Sequence, residues 1–257
     1  MHHAKKRFGQ NFLRDAQFVR ACVDAIRPQA NETLVEIGPG LGALTRPLLA
    51  QLPHLHVVEI DRDLIAKLHA EFPPARMTIH AGDALKFDFP TIGEKLRIVG
   101  NLPYNISTPL LFHLADFAEH IVDMHFMLQK EVVARMVAAP SSHDYGRLSV
   151  MLQYRFAMAH LFDVPGAAFH PAPKVTSSFV HMRPLHPIPY PAHDIKMFAK
   201  IVSAAFSTRR KTLRNALKAY VTDQDFADLG IDPILRAENL AVGVYVRIAN
   251  HLTARGG

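Results

Sequence analysis

Short apolar runs alternate with helix-like stretches through about the first 185 residues of the chain. Helical patterns at Ala43–Gln51, Asp63–Glu71 and Ser107–Glu119 separate the early runs. The seven strand-like runs are Leu34–Ile37, His56–Ile60, Met77–His80, Leu96–Val99, Met124–Leu128, Ser149–Phe156 and Ser178–Met182. Such alternation predicts an α/β fold, a doubly wound, seven-stranded Rossmann-like sheet with helices on both faces. The last two runs have no clear helix between them, which indicates an antiparallel edge.

Four prolines between positions 184 and 191 interrupt this alternation. Proline fixes φ and removes a backbone donor, so the stretch is expected to be an extended linker. The sequence beyond it is helical in character, at Ile195–Ser207, Lys211–Tyr220 and Val242–Ala254, and Asp232-Pro233 has the form of a helix start. We therefore expect two domains, residues 1–185 and a small all-helical domain at 186–257.

The distribution of charge points to a polyanionic partner. The net charge is +6 and the sequence pI is about 9.5. Two segments, residues 1–14 and 206–218, carry several Lys and Arg residues and no acid. Clustered basic residues of this kind are typical of nucleic-acid binding, although a solvated helix face has a similar composition.

Other features of the composition indicate a cytoplasmic location. No apolar run of 18 residues exists, so we expect no membrane span, and the N-terminus lacks the apolar core of a secretory signal. The single cysteine, Cys22, permits no internal disulfide, which suits a reducing compartment.

A glycine-rich turn links the first predicted strand to the first helix. Gly38 and Gly40 let a ligand approach the backbone, and Glu59, 21 residues after Gly38, can bind both hydroxyls of a ribose. This pattern suits a nicotinamide dinucleotide or a single nucleoside such as S-adenosyl-L-methionine. Glu36, near a methionine ammonium, and Asp83, near an adenine amino group, favour the nucleoside.

The sequence Asn101-Leu102-Pro103-Tyr104 follows the fourth predicted strand, where open α/β sheets bind their ligands. An amide oxygen accepts a hydrogen bond from an exocyclic amine, and a tyrosine face stacks on a planar ring. The turn is therefore suited to holding an amine-bearing ring against an electrophile. A nicotinamide dehydrogenase would account for the glycine turn and Glu59, but not for this turn or the basic clusters.

Metal and hydrolase chemistry lack a matching motif. Despite 16 histidines, the chain contains no His-Glu-x-x-His or Cys-x-x-Cys, so we expect no metal site. It also contains no Gly-x-Ser-x-Gly turn of the kind that hydrolases use.

The chain resembles the ribosomal RNA adenine N6-dimethyltransferases, and among them the small-subunit enzymes of bacteria. The matching segments cover nearly the whole chain and are Lys6–Leu13, Val35–Gly40, Asn101–Ser107, Phe169–Ser177 and Phe206–Leu217, the last with Arg209-Arg210-Lys211-Thr212. Gly146–Val150 also favours the small-subunit enzymes over the related resistance enzymes, which methylate large-subunit rRNA.

The resemblance implies a set of site residues. Those contacting S-adenosylmethionine would be Asn11, Leu13, Gly38, Glu59, Asp83 and Asn101, to which the glycine turn adds Gly40. The catalytic set would be Asn101, Leu102, Tyr104 and, on the opposite face of the base, Phe169. The RNA-binding set would be Lys5, Lys6, Arg7, Arg147, Arg209, Arg210, Lys211 and Arg214.

The resemblance also implies the substrate: two adjacent adenosines in the 3′-terminal hairpin loop of 16S rRNA, within an immature small ribosomal subunit. Each adenosine would receive two methyl groups at N6. A role as an assembly checkpoint is compatible with this activity. We expect a monomer, because nothing in the sequence indicates an obligate dimer.

Overall fold

The computed structural model describes residues 9–208 and 210–255. The strands are β1 (Phe12–Leu13), β2 (Thr33–Ile37), β3 (Leu55–Glu59), β4 (Met77–Ala81), β5 (Leu96–Asn101), β6 (Ile121–Gln129), β7 (Phe156–Val164), β8 (Phe169–His170) and β9 (Ser177–Pro184). The helices are α1 (Ala16–Ile26), α2 (Thr45–Leu49), α3 (Arg62–Glu71), α4 (Ser107–Ala115), α5 (Lys130–Val137), α6 (Arg147–Gln153), α7 (Ile195–Ala205), α8 (Leu213–Ala216), α9 (Asp223–Leu229) and α10 (Val242–Arg255).

The described residues divide into two compact units. The first contains the residues up to Val133 together with Met158–Pro184, and the second contains Ala134–Ala157 together with the residues from Leu185 onward. The first unit therefore ends at Pro184 and the second unit continues from Leu185, next to the boundary at residue 185 that the proline-rich stretch predicts. The sequence does not signal that Ala134–Ala157 groups with the C-terminal residues.

The first unit is built on a seven-stranded sheet with the order β4-β3-β2-β5-β6-β9-β7. Neighbouring strands from β4 to β6 run parallel, and β9 runs antiparallel to β6. The α/β, doubly wound fold expected from the sequence is confirmed. The chain runs outward from β2 through β3 to β4 and then returns to β5 on the other side of β2. This reversal is the topological switch point, where such sheets bind ligands.

The strands meet closely at the switch point. A side chain on Gly100, near the end of β5, would place its Cβ 2.5 Å from the carbonyl oxygen of Ile37 at the end of β2. Only glycine therefore allows the two backbones to approach to this distance. This contact brings the turn after β2 next to the turn after β5.

The predicted strand Ser149–Phe156 is wrong. The segment contains α6, and the strand β7 begins only at Phe156. The apolar run is compatible with either period, but Val150 and Tyr154, four residues apart, are both buried in the core of the second unit. The Tyr154 ring lies 4.7 Å from the Phe198 ring, so packing against α7 favours the helical spacing.

The second unit is helical, with a core centred on α7 and α10. The predicted helix start at Asp232-Pro233 is wrong: this segment lies alongside Thr212–Arg214. Leu213 N donates to Leu235 O at 2.7 Å, and Arg214 N donates to Pro233 O at 3.1 Å. The predicted helix at Lys211–Tyr220 is reduced to the single turn of α8. None of the helices within residues 9–208 and 210–255 combines the length and the apolar character that a membrane-spanning helix needs.

Candidate active site

A pocket lies at the carboxyl ends of β2, β3, β4 and β5 in the first unit. Its lining comes from the turns after these four strands and from the segment Gly9–Leu13. The structure brings together every predicted cofactor-binding and catalytic residue except Phe169. The residues that line the pocket are Asn11, Leu13, Gly38, Gly40, Glu59, Asp83, Asn101, Leu102 and Tyr104.

The glycine turn after β2 is shaped for a ligand. Gly38 has a φ of 66°, and a Cβ added there would meet no atom within 4 Å, so its open side faces the pocket space. Gly40 has a φ of 59°, and its added Cβ would lie 3.0 Å from the Phe12 ring. Both positions therefore require glycine for its left-handed conformation, and Gly38 leaves room for a bound molecule.

Glu59 is buried at the end of β3 and is held by the backbone of the following turn. Its Oε1 accepts hydrogen bonds from the N–H groups of Ile60 and Asp61, both at 2.9 Å. Burial raises the pKa of Glu59, and the backbone hydrogen bonds oppose this shift. A carboxylate offers about four acceptor positions, so Glu59 retains capacity for ribose hydroxyls.

Glu36 is the most strongly perturbed carboxylate of the pocket. Only 2% of its surface is exposed, and its Oε2 accepts a 2.7 Å hydrogen bond from the Thr45 hydroxyl. Burial raises the pKa of Glu36 to about 7, and the Thr45 bond partly offsets that effect. A cationic group of a ligand in the pocket would stabilise the ionised form. The sequence did not indicate Thr45, because Glu36 lies on β2 and Thr45 on α2, and their contact depends on how the intervening turn folds.

Asp83 follows β4 and serves the local turn as well as the pocket. Its Oδ1 accepts a hydrogen bond from Leu85 N at 3.0 Å, which fixes the direction of the carboxylate. Asp83 lies on the pocket wall and is partly exposed. A turn cap and a ligand acceptor are therefore compatible roles for this residue.

The orientation of the Asn101 amide is defined by the backbone. Its Nδ2 donates a 2.8 Å hydrogen bond to the carbonyl oxygen of Asn11. A carbonyl can only accept, so the NH₂ end of the amide must face Asn11, and Oδ1 remains as the acceptor. Leu102 N donates to Met127 O at 3.2 Å, which attaches the same turn to β6.

The segment Gly9–Leu13 is held over the pocket by contacts at both ends. β1 pairs with β8, with Leu13 opposite Phe169, and Arg14 N donates to Ala168 O at 2.8 Å. Gln10 Nε2 donates to Asp61 Oδ2 at 3.2 Å. These contacts hold the segment Gly9–Leu13 against the pocket that it lines.

Phe169 does not line the pocket. It is only 4% exposed and belongs to the hydrophobic core of the first unit. Its backbone pairs with Leu13, and side chains alternate along a strand, so Phe169 faces inward while His170 is exposed. The structure therefore does not support direct stacking of Phe169 on a base.

The predicted RNA-binding residues that the structure describes lie in the second unit. Arg147, Arg210, Lys211 and Arg214 are all exposed, and Arg214 forms a 2.9 Å ion pair with Asp223. The exposed Arg236, which the sequence did not single out, belongs to the segment that pairs with Thr212. Lys5, Lys6, Arg7 and Arg209 lie outside the described residues.

Two clusters of acidic and histidine side chains lie outside the pocket, Asp123–His125–His181 and Asp225–Asp228–His251. Each central carboxylate is already engaged by protein cations. Asp123 accepts hydrogen bonds from Arg97 at 2.7 and 2.8 Å, and Asp225 contacts His251 and Arg255. Both clusters are therefore ion-pair networks between side chains of the protein.

The doubly wound sheet, with its pocket at the carboxyl ends of β2 to β5, defines an S-adenosylmethionine-dependent methyltransferase. The model of the ribosomal RNA adenine dimethylase family matches residues 1–254, and the chain belongs to this family. It is 63% identical over 254 residues to the ribosomal RNA small subunit methyltransferase A of Aromatoleum aromaticum, a match that covers 99% of this chain and 96% of the relative.

Solved structures show the same fold. A dimethyladenosine transferase from Plasmodium falciparum superposes with a TM-score of 0.79 and 22% identity, covering 95% of this chain and 98% of that one. The 23S rRNA methyltransferase ErmE superposes with a TM-score of 0.73 and 21% identity, covering 95% and 100%.

Proposed function

We propose that the protein dimethylates N6 of two adjacent adenosines in the 3′-terminal hairpin loop of 16S rRNA. The identity of 63% to a small-subunit enzyme supports this substrate over large-subunit rRNA. The substrate form would be an immature small ribosomal subunit in the cytoplasm, and the enzyme would act as a monomer. Occupation of that subunit until methylation is complete would give the protein an additional role as an assembly checkpoint.

The cofactor would be held by residues from four strand ends. Glu59 would bind the ribose hydroxyls, Asp83 the adenine amino group, and Glu36 the methionine ammonium, while Gly38 leaves the space that the ligand fills. Asn11 and Leu13 would close the pocket from above. S-adenosylmethionine supplies a methyl group bound to a sulfonium, which is already a strong electrophile.

The protein would act mainly on the nucleophile. The lone pair of an adenine N6 is delocalised into the ring, so the nitrogen is a poor nucleophile. Hydrogen bonds from N6–H to Asn101 Oδ1 and to the Leu102 carbonyl would favour a pyramidal nitrogen and aim its lone pair at the methyl group. The C–N bond would form as the methyl–sulfur bond breaks, which would leave neutral S-adenosylhomocysteine, and the cationic N6 would then lose a proton to water. This is catalysis by positioning and electrostatics, and it requires no general base with a tuned pKa.

Tyr104 would stack on the target adenine once the base has left its loop. Stacking on an aromatic side chain contributes roughly 1–3 kcal/mol per base. Because Phe169 is buried, we propose that it acts through β1: its pairing with Leu13 holds the segment that orients Asn101.

The domain at 186–257 would recognise the RNA, and the domain at 1–185 would perform the transfer. Exposed Arg147, Arg210, Lys211 and Arg214 would contact phosphates, which orient the RNA without specifying its sequence. Lys5, Lys6, Arg7 and Arg209 would add to the same electrostatic attraction. Specificity would come from the shape of the RNA and from unstacked loop bases.

The observation that carries this proposal is the fixed amide of Asn101, whose NH₂ group is bound by the Asn11 carbonyl. The test is transfer of labelled methyl groups to small subunits that lack the modification, followed by mapping of the modified bases. We expect two adjacent dimethyladenosines with the wild-type protein. Asn101→Ala should abolish transfer while RNA binding is retained, and Asn31→Ala, an exposed amide before β2, serves as the control.

Methylation of large-subunit RNA instead, or full activity of Asn101→Ala, would contradict the proposal.

A further inference from the structure

The Tyr104 hydroxyl has a partner on a strand far away in the sequence. It lies 2.7 Å from Ser177 Oγ, 73 residues further along the chain. Ser177 is the first residue of β9 and is fully buried, whereas Tyr104 lines the pocket. The hydrogen bond therefore joins the end of a pocket side chain to the frame of the sheet.

Ser177 itself is held firmly. β9 pairs with β6, where Ser177 lies opposite Gln129, and Lys130 N donates to Thr176 O at 3.0 Å. The next residue, Ser178, donates a 2.6 Å hydrogen bond to Asp163, which also binds Lys130 Nζ at 2.6 Å. The backbone of Ser177 is thus fixed by the β6–β9 pairing and by the hydrogen bond at Thr176, while the Ser178 hydroxyl is engaged separately with Asp163.

A tyrosine ring can tilt and rotate about its two side-chain torsions. A hydrogen bond at the hydroxyl fixes the far end of the ring and leaves its faces available for stacking. Catalysis by positioning is sensitive to small displacements of the reacting groups, so a fixed ring holds a stacked base in a defined plane.

We propose that Ser177 is a positioning residue for methyl transfer, which holds the Tyr104 ring at the angle that the target adenine requires. This inference rests on the proposed stacking role of Tyr104. Ser177 does not line the pocket and acts only through the tyrosine hydroxyl. Its removal should therefore slow the transfer step and leave the binding of S-adenosylmethionine and RNA unchanged.

The test is a double-mutant cycle on the transfer rate at saturating S-adenosylmethionine and RNA, with Ser177→Ala, Tyr104→Phe and the double variant. Each single variant removes the same hydrogen bond, so each should slow transfer by roughly three- to tenfold. The double variant should be no slower than either single one. Ser178→Ala is the matched control, because its hydroxyl binds Asp163 and not Tyr104.

Effects that multiply in the double variant, or full activity of Tyr104→Phe, would overturn the proposal. A Ser177→Ala effect confined to the dissociation constant of either ligand would overturn it as well. If Ser177→Ala fails to fold, Tyr104→Phe alone decides, since it keeps the serine and the ring. Tyr104→Ala distinguishes the stacking role of Tyr104 from the positioning role of Ser177. Full activity of this variant would contradict both. If Tyr104→Ala is inactive while Tyr104→Phe is fully active, the stacking role stands and only the positioning role of Ser177 is contradicted.

Discussion

Replacing Glu36 by glutamine should make the protein more stable at alkaline pH and weaken its hold on the cofactor. The Glu36 carboxylate is buried, and its pKa is raised from the ordinary 4.5 to about 7. Glutamine keeps an oxygen that can accept the hydrogen bond from Thr45, but it cannot ionise. The variant therefore removes the cost of a buried charge with little change in shape.

The size of the effect follows from the pKa. The difference of about 2.5 units corresponds to about 3 kcal/mol, at roughly 1.36 kcal/mol per unit. Between pH 4.5 and 7 the folded protein keeps a proton on Glu36 that the unfolded chain has released. Wild-type stability therefore falls as the pH rises through this window, and the full cost is present above pH 7.

The assay is urea unfolding, followed by circular dichroism, of wild type and Glu36→Gln at about pH 4.5 and about pH 8. The stability of the variant relative to wild type should rise by about 3 kcal/mol between these two pH values. Glu94→Gln changes an exposed carboxylate of the same unit and should show no such rise. An equal difference at both pH values for Glu36→Gln would refute the reasoning.

Binding measurements complete this prediction. If Glu36 contacts the methionine ammonium, wild-type affinity for S-adenosylmethionine should increase as the pH rises toward about 7 and level off above it, because Glu36 is already ionised in the free protein above that pH. The glutamine variant should bind more weakly at about pH 8 and lack this pH dependence. An unchanged dissociation constant at that pH in calorimetry would exclude the ammonium contact.

Three further perturbations address other parts of the molecule. Gly38→Ala places a side chain at a φ of 66° and in the pocket space. The affinity for S-adenosylmethionine, measured by calorimetry, should therefore fall at least tenfold, and the protein should lose roughly 1 kcal/mol of stability. Unchanged affinity would mean that no ligand contacts this turn. Neutralising Arg209, Arg210 and Lys211 together should weaken rRNA binding. The slope of the logarithm of the binding constant against the logarithm of the salt concentration should become shallower by roughly 0.7–0.9 for each phosphate that these side chains neutralise in the wild type. An unchanged slope would show that these residues do not contact the RNA. Burial lowers the pKa of His125 from 6.5 to about 4, so the stability of the wild type should fall as the pH drops below 6.5. In urea unfolding, His125→Phe should gain about 2 kcal/mol of stability relative to wild type when the pH is lowered from about 7.5 to about 5. No gain would show that the buried imidazole is not desolvated in solution.

Most of the site could be predicted because its residues lie next to strand ends that the sequence reveals. Parallel strands bring their carboxyl ends to one edge, so Gly38, Glu59, Asp83 and Asn101 meet without any knowledge of long-range contacts. The nucleoside pocket followed from that rule together with the chemistry of the side chains.

The elements that sequence reasoning misplaced depend on distant partners. The segment at Ser149–Phe156 has an apolar pattern that suits either period, and its helical form is decided by packing against Phe198. Phe169 is turned inward by pairing with Leu13, far earlier in the chain. The Ser177–Tyr104 contact likewise joins residues with no local signal. Local patterns do not specify such contacts.

The central claim is that Asn101 Oδ1 and the Leu102 carbonyl hold the amine of an adenine while Tyr104 covers the ring. A crystal structure of the protein with S-adenosylhomocysteine and an adenosine-containing RNA loop tests it most directly. The account predicts N6 within hydrogen-bond distance of both oxygens and the base stacked on Tyr104. A tyrosine packed inward, with no room for a purine beside the sulfur atom, would contradict it.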